Sequence, residues 1–310
     1  MTAWREILIT GAGGFVGSAL VEGFLALGWR VTAVDRAFDA ATRARLAGSH
    51  LITVDLSHGD SSDLPAAAVV VHAAAVTTGA ATLGWTPAAH IAANMRPLLA
   101  MLEHAGRTGP DAFVFVSSSG VFAAGDGADG ADGGDGLRDT DVPTGRSSYA
   151  VAKRAGELLT GTALDGVAAH VVRLGYLYGP HEAARPSRLR TSAVATWFAA
   201  ARRGEPLVVA ADDPARDWTF TPDLAPVVAR LVAGRPASGP VHLCSPSVAT
   251  DSVMAAHIAA LVPGAVCTPG PRLAAMKLPM RPSDLSHLGP LSWTDPTTAL
   301  AQLAAAEVRA

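Results

Sequence analysis

Short apolar runs alternate with longer amphipathic stretches, rich in alanine and leucine, through the first half of this chain. Several short runs are apolar at almost every position, which is typical of strands covered by helices on both faces. The alternation indicates βαβ units and therefore an α/β fold with a doubly wound parallel sheet. Strands are predicted at residues 7–10, 30–34, 50–54, 69–72, 113–117 and 169–173, and helices at residues 14–27, 94–105 and 148–162.

The pattern loosens after Gly179 and Pro180, where an arginine-rich polar stretch begins. Proline and glycine become more frequent from there on, which favours short elements. We therefore predict a first domain at 1–178 and a smaller C-terminal α+β substrate-binding lobe at 179–310. A return to the first domain is predicted at about 217–245, so the two units are interleaved. The elements expected here are helices at 193–203 and 222–233 and strands at 207–209 and 241–244.

Composition narrows the class of protein. Of the 310 residues 49% are hydrophobic and 16% charged, which suits a compact domain with a sizeable core. The net charge of −3 gives no electrostatic reason to expect nucleic acid or an anionic membrane as a partner. The N-terminus lacks a leader pattern, and the longest apolar stretch, at 66–76, is too short to span a bilayer, so we expect a cytoplasmic protein.

Few other features suggest a ligand. Cys244 and Cys267 make no disulfide framework and are expected to be buried free thiols. No metal-ligand cluster stands out among the ten histidines, so we expect no metal. Residues 125–136 carry aspartates at every third position, whereas calcium loops alternate ligands and end in glutamate. That segment is predicted to be a flexible, solvated loop.

Three glycines follow the first predicted strand, at positions 11, 14 and 17. Glycines at such a turn let the backbone approach a diphosphate, and the helix that follows presents N–H groups to it. Asp35 ends the next strand, where a carboxylate can bind an adenosine ribose, although it could also be an ordinary acid of a strand end. Arg36 could attract a 2′-phosphate, so NAD is favoured and NADP stays open.

Tyr149-Ala-Val-Ala-Lys153 carries the clearest chemistry. The chain has only two lysines and three tyrosines among its many arginines, which makes the pairing unusual. On a helix these two positions share a face, and a nearby ammonium lowers the pKa of a phenol toward a useful value for acid–base work. The alternative is an exposed helical pair without function.

Further motifs occur in a fixed order along the chain. Together with the two motifs above they resemble the extended short-chain dehydrogenase/reductase family, in its NAD-dependent epimerase/dehydratase group. The additional motifs are Asp55-Leu56, His72-Ala73-Ala74-Ala75, Asn94, the run from Ser117 to Phe122, Arg173 with Tyr178-Gly179-Pro180, and Arg216-Asp217-Trp218.

The resemblance implies a Rossmann-type NAD-binding domain and assigns roles to residues. Ser118, Tyr149 and Lys153 would be catalytic: Tyr149 removes the proton of a secondary alcohol, Ser118 bonds its oxygen, and Lys153 holds the nicotinamide ribose. Without the family, a serine run after a strand is most often turn chemistry. Cofactor-binding residues would be Gly11, Gly14, Phe15, Val16, Gly17, Asp35, Arg36, Asp55, Leu56, Ala73, Ala74, Ala75, Asn94, Tyr149 and Lys153.

The substrate is less defined. The resemblance implies contacts from Ser118, Ser119, Tyr176, Arg216 and Arg281, the two arginines to a diphosphate, although each arginine could instead form an ion pair. Tyr176 stands where nucleotide-sugar enzymes often have asparagine, so one expected sugar contact is missing. The run Ser118-Ser119-Gly120 lacks the acidic pair that a 4,6-dehydratase needs, which disfavours that reaction.

Three functions therefore stay open. The first is a nucleotide-sugar 4-epimerase or 4-ketoreductase that uses NAD. The second is a dehydrogenase of a free sugar acid or small polyol, which would not need the diphosphate arginines. The third is an NAD(P)-binding sensor without turnover, which would not need to retain Tyr149 and Lys153. The resemblance also implies a homodimer formed through a four-helix bundle that includes the helix of Tyr149.

Overall fold

The computed structural model describes residues 5–124, 126, 136–234, 239–273 and 277–307. The strands are β1 (Glu6–Thr10), β2 (Arg30–Asp35), β3 (His50–Thr53), β4 (Val69–His72), β5 (Ala112–Ser118), β6 (Ala168–Leu174), β7 (Tyr176–Tyr178), β8 (Leu207–Val209), β9 (Ala215–Phe220), β10 (Val241–Leu243), β11 (Val248–Thr250) and β12 (Cys267–Pro269). The helices are α1 (Phe15–Ala26), α2 (Ala40–Arg45), α3 (Pro87–Thr108), α4 (Ser148–Thr162), α5 (Ala193–Arg202), α6 (Leu224–Ala233), α7 (Asp251–Leu261) and α8 (Pro296–Glu307).

Seven strands form the main sheet in the order β10-β6-β5-β4-β1-β2-β3, and every pair is parallel. From β1 the chain builds outward to β3 and then crosses back to β4 and beyond, so the order reverses between β1 and β4. This confirms the predicted Rossmann-type doubly wound sheet. In such sheets ligands bind outside the carboxyl ends of the strands at the point of reversal.

Both faces of the main sheet are buried, which explains the continuous apolar runs. Alternate side chains of a strand point to opposite faces. In β1, Ile7 and Ile9 pack into the core beneath α1 and α6, whereas Leu8 packs into the core on the side of α3. Each fully buried side chain of this size contributes roughly 1.5–3 kcal/mol relative to exposure.

The C-terminal lobe is a smaller α+β unit, as predicted. It contains the three-stranded sheet β11-β9-β7 and the two-stranded sheet β12-β8. Its core is aromatic, with Trp218 and Tyr178 fully buried and their rings 6.0 Å apart. Only Gly175 separates β7 from β6 of the main sheet, and β10 pairs with β6, so the two sheets are joined at several points along the chain.

Some elements differ from the sequence prediction. Helix α3 begins at Pro87 rather than residue 94, because Thr86 caps it by accepting a hydrogen bond from the Ala89 N–H. The short elements α2, β7, β9, β11 and β12 and the helices α7 and α8 were not predicted. Three-residue strands are held by their partners in the lobe and carry too little periodicity to be recognised.

Two smaller expectations can also be compared with the structure. Both cysteines are free, and Cys244 is buried as expected, but Cys267 is exposed, because it lies on the two-stranded sheet at the surface. The loop predicted at residues 125–136 lies outside the described residues except for Asp126 and Gly136. Within the described ranges, no helix is long and apolar enough to cross a membrane.

Candidate active site

The glycine loop between β1 and α1 is packed too closely for side chains. Gly11 has a φ of +69°, and a Cβ atom there would lie 2.6 Å from Ala74 Cα. A Cβ on Gly17 would lie 2.1 Å from the Gly11 carbonyl oxygen. Helix α1 starts directly after this turn, with no side-chain cap and no acidic residue in its first turn. Its free N–H groups therefore face the loop edge, as an anion-binding helix terminus requires.

Asp35 lies beside this loop at the end of β2. Its carboxylate accepts hydrogen bonds from the Gly13 N–H at 2.9 Å and the Ala37 N–H at 3.3 Å. Burial raises the pKa of Asp35, while those N–H groups and the charge of Arg36 oppose the shift. Arg36 itself is exposed. The structure thus places Asp35 next to the glycine loop, where the sequence predicts an adenosine ribose.

Asp55 and Leu56 follow β3 at the same edge. The Asp55 carboxylate accepts a hydrogen bond from the Ser57 N–H at 2.9 Å, and the bonds from Ser57 lower its pKa. Leu56 is buried. Both residues therefore also serve the local turn, and the structure leaves the Asp55 carboxylate accessible at this edge.

The segment after β4 is held by a hydrogen-bond chain. Asn94 accepts from the Val76 N–H at 2.9 Å and donates to the Val76 carbonyl at 3.2 Å. His90 bonds the same carbonyl through Nε2 at 3.0 Å and the Ser148 hydroxyl through Nδ1 at 2.9 Å. Asn94 therefore orders the loop that carries Ala73, Ala74 and Ala75. The sequence did not indicate His90 or Ser148, which connect this loop to the start of α4.

Ser118 and Tyr149 meet at the carboxyl end of β5. The Ser118 hydroxyl accepts a hydrogen bond from the Gly120 N–H at 3.0 Å and also bonds the Tyr149 side chain. Gly120 fits closely here, because a Cβ on it would lie 3.0 Å from Tyr149 Cε1 and 3.2 Å from Ser118 Oγ. The structure therefore brings the predicted hydroxyl residue and the predicted acid–base residue together.

Lys153 lies one turn along α4 from Tyr149 and is buried, with 4% of its surface exposed. Its ammonium group donates to the Val116 carbonyl at 2.6 Å and lies 4.8 Å from the Phe115 ring centre. Burial lowers the pKa of Lys153 to about 8, and the charge of Glu157 opposes the shift.

The expected pKa of Tyr149 needs correction. Burial raises the pKa of the phenol instead of lowering it, and the opposing influences are the Ser118 hydrogen bond and the charge of Arg188. The Lys153 ammonium is directed to Val116 and lies 5.8 Å from the centre of the Tyr149 ring. In the protein alone, therefore, Lys153 does not supply the expected depression.

His72 is a buried neighbour of this group. Its Nδ1 bonds the Thr10 hydroxyl at 2.9 Å, and its ring stacks on Phe115. Burial lowers the pKa of His72 to about 3, and the charge of Lys153 adds to the effect. His72 is thus neutral at physiological pH and supports the positions of β1 and β5.

A buried ion pair fixes α4 against the sheet. Glu157 on α4 accepts two hydrogen bonds from the Arg173 guanidinium on β6, at 2.9 and 2.8 Å, and a third from the Ser117 hydroxyl at 2.6 Å. The two charged side chains are only 4% and 8% exposed. Removing one partner of such a pair leaves an uncompensated buried charge, which costs about 3–5 kcal/mol.

A cavity of about 180 Å³ opens between the two lobes. Arg216 lines it with its guanidinium 4.2 Å from the Tyr176 ring centre, and it forms two hydrogen bonds to Asp251, at 2.6 and 2.9 Å. The ion pair considered in the sequence analysis is therefore present. Arg281 is not among the described residues of the lining: its N–H bonds the Leu137 carbonyl, and its Cγ atom lies close to Gly136. The lining includes Ser119, Tyr176, Ala215, Arg216, Asp217, Leu273, Lys277 and Leu278.

Lys277 is a residue of this cavity that the sequence reasoning missed. Its ammonium group donates to the Ser119 carbonyl at 2.8 Å, next to Ser118. Lys277 keeps an exposed surface at the mouth of the cavity, and partial loss of solvent around its ammonium lowers its pKa. Burial raises the pKa of the facing Asp217 to about 6. The rarity of lysine was the available signal, because the second of only two lysines lies in the same region as the first.

Comparison with known proteins identifies the chain. The model of the NAD-dependent epimerase/dehydratase family matches residues 7–241. The chain belongs to this family. A dTDP-4-dehydro-6-deoxy-D-allose reductase from Streptomyces bikiniensis is 30% identical over 247 residues, covering 74% of this chain and 73% of the relative.

Solved structures of the family share the fold. A UDP-glucose 4-epimerase from Thermotoga maritima, solved with UDP-glucose, aligns over 98% of this chain and 99% of its own, with 19% identity and a TM-score of 0.83. An epimerase from Methanothermobacter thermautotrophicus aligns over 99% and 93%, with 21% identity and a TM-score of 0.81.

The chain is therefore an NAD-dependent enzyme of the epimerase/dehydratase family, and its residues fit the cofactor. The loop in which a Cβ would clash, the uncapped start of α1 and Asp35 lie together at the point where the strand order reverses. Asp35 and the glycine loop are the residues that would hold the adenosine ribose and the diphosphate there, as the sequence predicts.

The buried ammonium of Lys153 predicts a specific pH dependence of stability. In the folded protein its pKa is about 8, below the ordinary value of 10.5, so between those pH values the unfolded chain binds more protons and folding strengthens as pH rises. The free energy of unfolding of the wild type, relative to Lys153→Met, should rise by up to about 3 kcal/mol between pH 8 and 10.5. Urea unfolding at several pH values measures this difference, and a constant difference would contradict the prediction.

Proposed function

We propose that this enzyme acts on a secondary alcohol or ketone of a nucleotide sugar, as a 4-epimerase or 4-ketoreductase. The observation that carries the proposal is the meeting of Ser118, Tyr149 and Lys153 at the cofactor edge of the sheet. The reductase relative and the epimerase structures support a sugar nucleotide as the substrate class. The alternative is a dehydrogenase of a free sugar acid or small polyol.

The residues divide the chemistry among them. Bound NAD supplies the hydride acceptor for the carbon of the alcohol. Tyr149, in its phenolate form, takes the proton from the alcohol oxygen, and Ser118 donates a hydrogen bond to that oxygen and stabilises its developing charge. The positive charge of bound NAD would favour this phenolate, since burial alone raises the pKa of Tyr149. Lys153 would hold the nicotinamide ribose, since its ammonium has donors besides the one bonded to the Val116 carbonyl. In the ketone-to-alcohol direction Tyr149 returns the proton.

Charge in the cavity between the lobes favours an anionic substrate. Arg216 is paired with Asp251, so part of its charge is already balanced. Lys277 adds a second cation near Ser119, and its ammonium has donors beyond the one bonded to that residue. Lys277 with Arg216 therefore contacts the anionic part of the substrate, a role expected of Arg216 and Arg281 from the sequence. A sensor without turnover would not need this arrangement of acid–base residues and cations.

A homodimer is part of the proposal. Helices α3 and α4 pack side by side and present exposed apolar side chains outward: Leu99 is 45%, Val151 40% and Leu158 73% exposed. Burial of this face against a second copy would form the four-helix bundle that the family resemblance implies.

The cytoplasmic location stays a prediction from the sequence.

Substrate screening with a catalytic control tests the reaction. UDP-, GDP- and dTDP-sugars and free uronates and aldonates are each offered with NAD, and NADH absorbance and sugar products are followed. Turnover of a nucleotide sugar is expected, with retained cofactor for an epimerase and released NADH for net oxidation. Tyr149→Phe should reduce turnover at least about 100-fold, because it removes the acid–base group, with NAD affinity nearly unchanged.

Two outcomes of this screen would refute the proposal. Turnover of free acids alone would replace the nucleotide-sugar substrate by the alternative. Full activity of Tyr149→Phe would remove the role given to that residue.

Lys277→Met should raise the KM for the nucleotide sugar about tenfold or more, because a charge-assisted hydrogen bond to the substrate is lost. The affinity for NAD should not change, since Lys277 lies in the cavity between the lobes and away from the glycine loop. Arg272→Met provides a control with the same loss of charge at a nearby exposed position. An unchanged KM for Lys277→Met would contradict this role.

Leu158→Glu should convert a dimer into a monomer, because it places a charge in the proposed bundle. Sedimentation velocity measures the mass of each form. Val266→Glu, at an exposed position of the second lobe, is the matched control and should stay dimeric. A monomeric wild type would refute the homodimer.

A further inference from the structure

Residues 181–190, which we call the strap, run from the second lobe across the cofactor edge of the main sheet. On one side the Ser187 carbonyl accepts hydrogen bonds from the N–H groups of Thr77 and Thr78, at 2.8 and 3.0 Å. On the other side Arg185 donates to the carboxylate of Asp39, at the start of α2, at 2.6 Å. The strap therefore connects the loop after β4 with the loop after β2, and it passes over the strands between which the dinucleotide lies.

Arg188 extends from the strap to the start of α1. Its guanidinium carbon lies 4.7 Å from the ring centre of Phe15, the first residue of that helix. Nη2 donates to Glu182 within the strap, but Nη1 is buried and has no hydrogen-bond acceptor among the described residues. A buried guanidinium N–H without an acceptor is unfavourable in free energy, so we expect an anion to bind at this position.

Glu182 does not remove the charge of Arg188 from this site. Its carboxylate also accepts hydrogen bonds from the Ser192 N–H at 2.7 Å and the Ser192 hydroxyl at 2.6 Å, at the start of α5. The Glu182 carboxylate is thus shared between Arg188 and the start of α5, and it holds the guanidinium through Nη2. One edge of the guanidinium is left for a ligand.

Two groups of hydrogen-bond donors at this position therefore have no acceptor among the described residues. The start of α1 has neither a side-chain cap nor an acidic residue, and Arg188 Nη1 has no acceptor. Arg188 also lies close enough to Tyr149 for its charge to oppose the rise in the phenol's pKa. It thus faces the middle of the cleft, between the adenosine end at Asp35 and the catalytic end at Tyr149.

We propose that Arg188 binds the diphosphate of NAD, from the side opposite the glycine loop. A planar guanidinium suits two phosphate oxygens, and together with the N–H groups of α1 it surrounds the anion with donors. The strap brings this residue from the substrate lobe, so cofactor binding joins the two lobes. The inference concerns the cofactor and does not depend on which sugar is the substrate.

Calorimetric titration of NAD tests the contact. Arg188→Gln should raise the Kd for NAD about 10- to 100-fold, because a charge-assisted hydrogen bond is lost, and most of the change should be faster dissociation. Arg188→Lys keeps the positive charge but loses the planar pair of N–H donors, so its Kd for NAD should lie between those of the wild type and Arg188→Gln. Arg190→Gln makes the same change two residues away at an exposed position and should bind NAD as the wild type does.

Ligand fragments locate the contact. ADP-ribose retains the diphosphate, so its affinity should fall in Arg188→Gln as that of NAD does. Adenosine lacks the diphosphate and should bind equally to the wild type and the variant. Thermal unfolding without ligand confirms that the variant is folded. An unchanged Kd for NAD, or an equal loss for adenosine, would overturn the inference. A loss of UDP-glucose binding with normal NAD binding would assign Arg188 to the substrate instead and would also overturn it. All of these are binding measurements, so they remain decisive if no sugar is turned over.

Discussion

The buried carboxylate of Glu157 is the constraint on which the arrangement of Ser118, Tyr149 and Lys153 depends. From α4 it accepts hydrogen bonds from Arg173 of β6 and Ser117 of β5. Its negative charge also favours the ammonium form of Lys153. A buried charge of this kind is tolerated only when its hydrogen bonds are complete, so the geometry has little freedom. Because Tyr149 and Lys153 stand on the same helix, fixing α4 fixes both of them relative to Ser118.

Arginine and lysine make different kinds of contact in this protein. Several arginines form ion pairs with acids, as Arg173 does with Glu157 and Arg216 with Asp251. Both lysines lie where a compact ammonium can reach a carbonyl at the end of β5 or just after it: Lys153 bonds Val116 and Lys277 bonds Ser119. The only two lysines of the chain therefore both lie at the carboxyl end of β5.

The two lobes are coupled at close contacts. At Gly175, the residue between β6 and β7, a Cβ would lie 1.8 Å from the Asp217 carboxylate, so any side chain there would displace that carboxylate. Asp217 in turn faces Lys277 across the cavity between the lobes. The strap also brings the second lobe to the loops after β2 and β4, so under the two proposals above that lobe supplies residues to both the cofactor and the substrate.

The sequence by itself determined the main sheet, the glycine loop and the position of Tyr149 and Lys153. Those features are local: continuous apolar runs follow from burial on both faces, and the spacing of Tyr149 and Lys153 follows from the helix repeat. Only the tertiary structure decided the pKa direction of Tyr149 and the ion pair of Arg216. The proposed roles of Lys277 and Arg188 likewise rest on tertiary contacts. Burial and contacts between residues far apart in the chain set these properties, and a single sequence records neither.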